Sequence, residues 1–395
     1  LSVALAFVLI IGSYVWQEYS VSHENPEYER IYIPTQSMPY GIYEPLKEQI
    51  PELEKITLIN SHDDVVMESG EDRFVTRGLA VRGDFFDIFD YNFLVGDADC
   101  LNSYTDIVIS ETFATLLAGK PELAVGMQIL PLDYTSEAYT VRGVIKDFNY
   151  HYWKYMDFIC KGESPINESV QKNPVFTLSA TAFIQVTESI NESELQGKIQ
   201  TVFKYLWGDK MPADRIDQFA NRIGIERFDR LYFSGDYIDS YLNMGDRSQI
   251  IILLIVSLLL LVSAVINYIN LNLALTNKRA KEMATRSLVG AEKVHIAVKY
   301  ILESAAFTSV CSFMAVGIAV GLSPYIGQIL DGQAIPIPFT VGSITVYILF
   351  ILIIGIICGL IPALNISSIK PISIVNGTYR RKSRATLNRI FILLQ

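Results

Sequence analysis

Residues 250–269 read IIILLIVSLLLLVSAVINYI, a stretch without one ionisable side chain. A helix of about 20 residues rises about 30 Å, the thickness of a bilayer's hydrocarbon core, so this stretch predicts a spanning helix. Two more segments meet the same requirement: Ser304 to Ser323, which follows Glu303, and Phe339 to Ile366, both free of charge. Leu1 to Trp16 is equally apolar but about four residues short of a span of about 20, and reads as a truncated one. It lacks the basic leader and small-x-small cleavage site of a signal peptide. The series Tyr14, Trp16 and Tyr19 suits an interfacial aromatic belt instead. These four blocks explain why half of the 395 residues are hydrophobic although 19% are charged.

Charge then orients the spans. Thr276 to Lys299 holds six basic residues (Lys278, Arg279, Lys281, Arg286, Lys293, Lys299) against Glu282 and Glu292. The tail after Ile366 holds six (Lys370, Arg380, Arg381, Lys382, Arg384, Arg389) and no acid. Both segments belong in the cytoplasm by the positive-inside rule. Gln17 to Ser248 carries 20 basic and 38 acidic residues, a net of 20 − 38 = −18, and is placed outside. Two helices between the basic segments satisfy the required order in, out, in, out, in.

The outer stretch is long enough for one large or two moderate domains. Tyr28 to Pro34 predicts a strand, Gly41 to Ile50 a helix closed by Pro51, and Ile56 to Asn60 a strand. A similar unit follows at the far end. Thr181 to Val186 alternates as a strand, Asn191 with Glu194 caps a helix to Leu206, and Glu226 to Phe233 is again strand-like. Between them, Phe85, Phe86 and Phe89 fall at helical spacing, Ile107 to Ile109 enters a helix over Ser110 to Leu117, and Tyr139, Val141, Gly143 and Ile145 alternate on one strand face. The fold class is therefore an α-helical membrane protein with four transmembrane helices, the first truncated, plus a large α+β domain. That domain is built of two β-α-β-type units with an inserted α+β lobe.

Catalytic signatures are missing. The chain has no G-x-x-x-x-G-K-[ST] phosphate loop, G-x-S-x-G elbow, H-E-x-x-H helix or glycine-rich dinucleotide turn, so it reads as no enzyme, without catalytic, cofactor or metal residues. Ser61, His62, Asp63, Asp64 and Glu68 cluster, but four adjacent residues cannot converge on one centre, and a solvated acidic loop is the simpler reading. His23, His151 and His295 stand alone. Cys311 and Cys358 lie within spans as packing residues. Cys100 and Cys160 lie outside the membrane, where a disulfide would persist, and their spacing leaves open whether they pair.

Paired glycines are the spans' most specific feature. Gly317 and Gly321 lie four apart on the third span, with Ala315 and Ala319 offset by two, and Gly355 and Gly359 repeat the spacing on the fourth. Each pair predicts a flat stripe for close helix packing, within the chain or against a second copy. No charge lies deep in a span, which argues against an ion or proton relay. In the cytoplasmic loop, Asn277 to Leu288 predicts a short helix, Gly290 stops it, and a second helix begins at Ala291.

The loop residues Arg279, Lys281, Glu282, Met283, Arg286, Gly290 and Ala291, with Asn272 before and Glu303 after, resemble the FtsX-like permeases. The match departs at Ala284 and Thr285, where that family commonly has Gly-Ile. Pro362, Ala363, Ser367, Ser368, Lys370, Pro371 and Ile372 are similar to its terminal segment, and Val81 to Gly96 and Tyr139 to Phe148 resemble a MacB-type periplasmic core domain. The resemblance implies a permease subunit of an ATP-binding cassette (ABC) system in the bacterial inner membrane. Its organisation would be helix 1 over 1–16, a periplasmic core domain over 17–248 with its lobe at about 97–177, helix 2 over 249–275 and a coupling loop over 276–299. Helix 3 over 300–325, a short periplasmic loop over 326–338, helix 4 over 339–366 and a basic tail over 367–395 complete it.

The resemblance further implies that Lys278, Arg279, Lys281, Glu282, Met283, Arg286, Gly290 and Ala291 receive motion from an ABC-type ATPase. ATP would be bound by that partner, with no cofactor on this chain. The other partners implied are a second permease copy or second repeat, membrane lipids and a periplasmic protein, and not nucleic acid. Ile390 to Leu394 begins another apolar run, as in two-repeat members. The rival reading is a membrane-anchored receptor with a periplasmic ligand-binding domain.

Overall fold

The computed structural model describes residues 1–23, 25–132, 137–147, 153–162, 179–187, 190–208, 212–234, 241–274, 293–330 and 335–367. They divide into a helical unit, Leu1–Tyr19 with the chain from Arg247 onward, and an α/β unit, Ser20–Asp246.

The α/β unit is one 11-stranded sheet. In chain order the strands are β1 (Ile31–Pro34), β2 (Met38–Pro39), β3 (Leu53–Ser69), β4 (Asp72–Gly83), β5 (Phe93–Val95), β6 (Asp106–Ser110), β7 (Gln128–Pro131), β8 (Tyr139–Ile145), β9 (Phe158–Lys161), β10 (Ser179–Val186) and β11 (Ile225–Arg227). Their main order is β11-β1-β10-β3-β4-β9-β6-β8-β5. Thus β1 and β3, joined through the helix Tyr43–Gln49, flank β10, while β10 and β11, joined through the helix Glu192–Trp207, flank β1. Interleaving of this kind is the split β-α-β arrangement, in which each unit completes the other's sheet.

Local chemistry fixes these elements. The Asn191 side chain accepts from the Ser193 N–H to start Glu192–Trp207, whose Leu195, Ile199 and Val202 form the buried stripe. Ser110 caps Glu111–Ala118 by accepting from the Phe113 N–H at 3.1 Å, and Gly119, at φ 75°, ends it. The insert between β4 and β10 does not form a separate sheet: β9 pairs parallel with β4, so the lobe extends the base. Gly78 makes that pairing possible, because a Cβ there would lie 2.2 Å from the buried Phe158 ring.

Three expected elements differ in extent. The strand expected over Ile56 to Asn60 is part of the first half of the 17-residue β3. Its polar run is a bulge in which Asp63 and Asp64 together oppose Arg77, with Asp64 at φ 56°. The strand expected over Glu226 to Phe233 stops at Arg227; Phe228 and Leu231, three apart and both buried, belong to a helical turn. On β8 a register shift at Arg142 breaks the expected alternation, so Tyr139, Val141 and Val144 share one core cluster while Ile145 enters another.

Aromatic residues weld the insert to the base. Trp153 lies 5.2 Å from Phe89, 5.9 Å from Phe183 and 5.6 Å from Tyr241, ring centre to ring centre, and all four are buried.

Among the described residues, the helical unit contains four helices long and apolar enough to cross a membrane. We label them α1 (Ser2–Ser20), α2 (Arg247–Ala274), α3 (Lys293–Leu330) and α4 (Val341–Ser367). The first runs four residues beyond the expected end at Trp16, and at 19 residues is nearly a full span. The third begins seven residues before the expected start at 300 and ends five after 325. Leu and Ile side chains of α2 and α4 point outward, such as Ile252, Leu259, Ile353 and Leu364, as a lipid-facing surface requires.

Candidate functional site

The α3 and α4 helices pack antiparallel through the glycines of α4. A Cβ on Gly355 would lie 2.9 Å from the Ala305 Cα, and one on Gly359 would lie 2.8 Å from the Ile301 Cα. Only glycine allows two backbones so near. On α3 the packing stripe is the offset pair: Ala315 and Ala319 are fully buried, whereas Gly317 and Gly321 have nothing within 4 Å of where a Cβ would sit. The structure thus brings Gly355 and Gly359 against α3 and leaves the other two glycines facing outward in this chain.

Hydroxyl groups reinforce the contact. On α3, Ser304, Thr308 and Ser312 recur every four residues on one face, and all three are buried. From α2, the Tyr268 hydroxyl donates to Ser304 Oγ at 3.2 Å and its ring stacks on Phe307 at 5.1 Å. From α4, Tyr347 accepts from the Ser312 hydroxyl at 2.8 Å. The α3 helix is therefore tied to both neighbours at levels about 12 Å apart along its axis. Sequence reasoning passed over this ladder; its signal was the four-residue recurrence of Ser and Thr within an otherwise apolar span. Asn272 makes a local bond, its Nδ2 donating to the Tyr268 carbonyl at 3.1 Å.

The coupling-loop residues Lys278, Arg279, Lys281, Glu282, Met283, Arg286, Gly290 and Ala291 lie outside the described residues, as does the basic tail. The described chain resumes at Lys293, the first residue of α3. The α3 helix runs unbroken for 38 residues from Lys293, about 57 Å at 1.5 Å per residue, nearly twice the bilayer core.

In the outer unit, a cavity of about 610 Å³ is lined by Asp90, Tyr91, Phe93, Asp97, Lys146 and Asp147, among others. Asp147 is held at the edge of the cavity by the Thr112 N–H (2.9 Å) and hydroxyl (2.6 Å). The Ser61 to Asp64 cluster sits on the β3 bulge, with Asp63 and Asp64 exposed. Among the described residues no three His, Cys, Asp or Glu side chains converge to hold a metal. Cys100 and Cys160 are both free thiols.

Comparison with known proteins agrees with both units. The "Probable export ATP-binding/permease protein MacB" of Pseudomonas entomophila is 25% identical over 167 residues, covering 42% of this chain and 25% of that protein. The "Macrolide export ATP-binding/permease protein MacB" of Burkholderia thailandensis gives the same identity and coverage. The chain thus spans about a quarter of the length of these relatives. The crystal structure of the periplasmic region of MacB from Actinobacillus actinomycetemcomitans covers 48% of this chain and 92% of its own, at 15% identity and a TM-score of 0.35. Two family patterns match, the MacB-like periplasmic core domain over residues 1–220 and the FtsX-like permease C-terminal region over 254–371. Since the two patterns account for the outer sheet and the helix bundle in turn, the chain belongs to the FtsX-like permeases that carry a MacB-like periplasmic core domain.

Proposed function

We propose that this chain is the moving membrane part of an ABC-type exporter or extraction machine in the bacterial inner membrane. ATP hydrolysis by an ATPase, carried on a partner or on another stretch of polypeptide, would shift the spans and thereby the periplasmic domain. The observation that carries this reading is the continuous α3 helix. One continuous helix, whose single internal proline, Pro324, lies beyond the hydroxyl positions, leads from the edge of the basic loop through the bilayer, and displacement at its cytoplasmic end moves Ser304, Thr308 and Ser312 with it. The ladder and the glycine contact pass that displacement to α2 and α4. The periplasmic domain is inserted between α1 and α2, so movement of either span pulls on one of its ends.

In this reading the loop from Lys278 to Ala291 receives the ATPase, and no cofactor binds the chain itself. A second copy or second repeat would complete the permease. Reversing the charges of Arg279, Glu282 and Arg286 together tests it. Membrane insertion should persist while ATP hydrolysis by the co-purifying ATPase loses its link to export. Unchanged export and ATPase capture in that variant would refute the assignment.

A further inference from the structure

The α3–α4 contact is periodic in a way that one arrangement does not use up. On α3, Ser304, Thr308 and Ser312 are spaced by four, and so are Ala297, Ile301 and Ala305. On α4, Gly355 and Gly359 have the same spacing. In the observed packing Gly355 meets Ala305, Gly359 meets Ile301 and Tyr347 meets Ser312. Thr308 lies one turn from Ser312 on the same face, is wholly buried, and its Oγ1 has no hydrogen-bond partner. A buried hydroxyl without a partner is costly. Even the exposed Ser309 and Thr345 bond to the carbonyl four residues back, at 2.8 and 2.7 Å, but the buried Thr308 does not.

We propose that α3 and α4 have a second register, one helical turn from the observed one, in which Tyr347 bonds to Thr308 instead of Ser312. The same slide seats Gly355 against Ile301, where Gly359 was, and Gly359 against Ala297, another small residue. The glycine seats are refilled and the unpartnered hydroxyl passes from Thr308 to Ser312, so the two registers are near in energy and separated by an interlocked, unfavourable intermediate. One-turn ratchets of this kind convert a small push into two discrete states. The inference deepens the motion-coupling function proposed above and rests on it for its purpose, though not for its existence.

The test uses the full protein in membranes, with its native cysteines, among them Cys100, Cys160, Cys311 and Cys358, replaced by alanine. Ala305→Cys with Gly355→Cys reports the observed register, since the two Cβ atoms would lie 3.2 Å apart, and Ile301→Cys with Gly355→Cys reports the shifted one. Both cross-links should form. Thr308→Val should lower the second about fivefold, the population effect of one net hydrogen bond, and Thr308→Ser should restore it. Absence of the second cross-link, or indifference to Thr308→Val, overturns the proposal. Should Gly355→Cys prevent insertion, spin labels on the exposed positions Val310→Cys and Leu364→Cys, far apart along the helix axes, serve instead. Two distances differing by about one 5.4 Å turn support the second register, and a single distance overturns it. Adding ATP separates the two ideas: a ratio that does not respond to ATP sinks the coupling function while leaving the second register standing.

Discussion

Gly355 of α4 lies so close to α3 that a methyl group on it would meet the Ala305 backbone, at 2.9 Å from the Cα. Gly317, on the facing helix and in the same sequence pattern, would place a methyl group in open space. Gly355→Ala should therefore push the helices apart and destabilise the bundle by about 1–3 kcal/mol, the usual effect of overpacking. Gly317→Ala should be neutral or slightly stabilising, because alanine is the better helix former. Thermal unfolding in detergent, followed by the exposure of Cys311 and Cys358 to a thiol dye, separates the two. A greater loss from Gly317→Ala would mean that the packed face has been misassigned.

Phe158 covers Gly78 across the parallel β4–β9 pair, and a Cβ on residue 78 would lie 2.2 Å from the ring. The ring is buried among Val65, Ile107, Ile109 and Phe113, so it cannot swing away freely. Gly78→Ala should cost about 1–3 kcal/mol and Phe158→Ala about 3–5 kcal/mol. Combined, they should cost less than their sum, since removing the ring removes the clash. Urea unfolding monitored by tryptophan emission measures all three variants. Simple additivity would show that the two side chains do not interact.

How much of this was legible in the sequence depended on whether the signal was local. The spans were, because nothing competes with a charge-free run such as 250–269 for the membrane. So was Asn191, whose cap acts within three residues, whereas Ser110, expected as the first helical residue, is the cap just before it. The full length of β3 was hidden because the bulge at Asp63 and Asp64 places polar residues mid-strand, and the β8 face was misread because one extra residue, Arg142, reverses the alternation. The merger of lobe and base into one sheet depends on the β4–β9 pairing, a contact about 80 residues apart that no short window contains. Which glycine pair packs was likewise invisible, since Gly317/Gly321 and Gly355/Gly359 have identical spacing and only the facing helix distinguishes them.

Neither outer cysteine should react readily at neutral pH. Burial pushes the Cys100 thiol up to about 11, helped by the nearby Asp97 charge, and pushes that of Cys160 up to about 12. The thiolate is the reactive form, so iodoacetamide should label both slowly at pH 7. The rate at Cys100, which is only half-buried, should climb steadily as pH rises toward 11. Mass spectrometry of digested, alkylated membranes reads this directly. Rapid modification of Cys160 in the folded protein would show that the β6–β9 core opens.

Asp157 should make the outer domain less stable as pH rises. Its carboxylate accepts from the Arg77 N–H at 2.9 Å, while its own N–H donates to the Arg77 carbonyl at 2.7 Å. Burial raises its pKa above the ordinary 3.8, with Asp147 adding to the rise, and the Arg77 and Tyr155 hydrogen bonds offset only part of that. The folded state therefore holds the proton more tightly than the unfolded chain does. Between the ordinary value and the raised one, unfolding releases protons, so stability falls through that window and then levels off. Asp157→Asn keeps an oxygen for the Arg77 N–H and carries no charge. It should match the wild type below about pH 4, near the ordinary carboxylate value, and gain on it progressively above that. Urea midpoints from pH 3 to 7, followed by tryptophan emission, give the difference curve. A curve that is flat, or that slopes the other way, would mean that the Arg77 contact outweighs burial at this carboxylate.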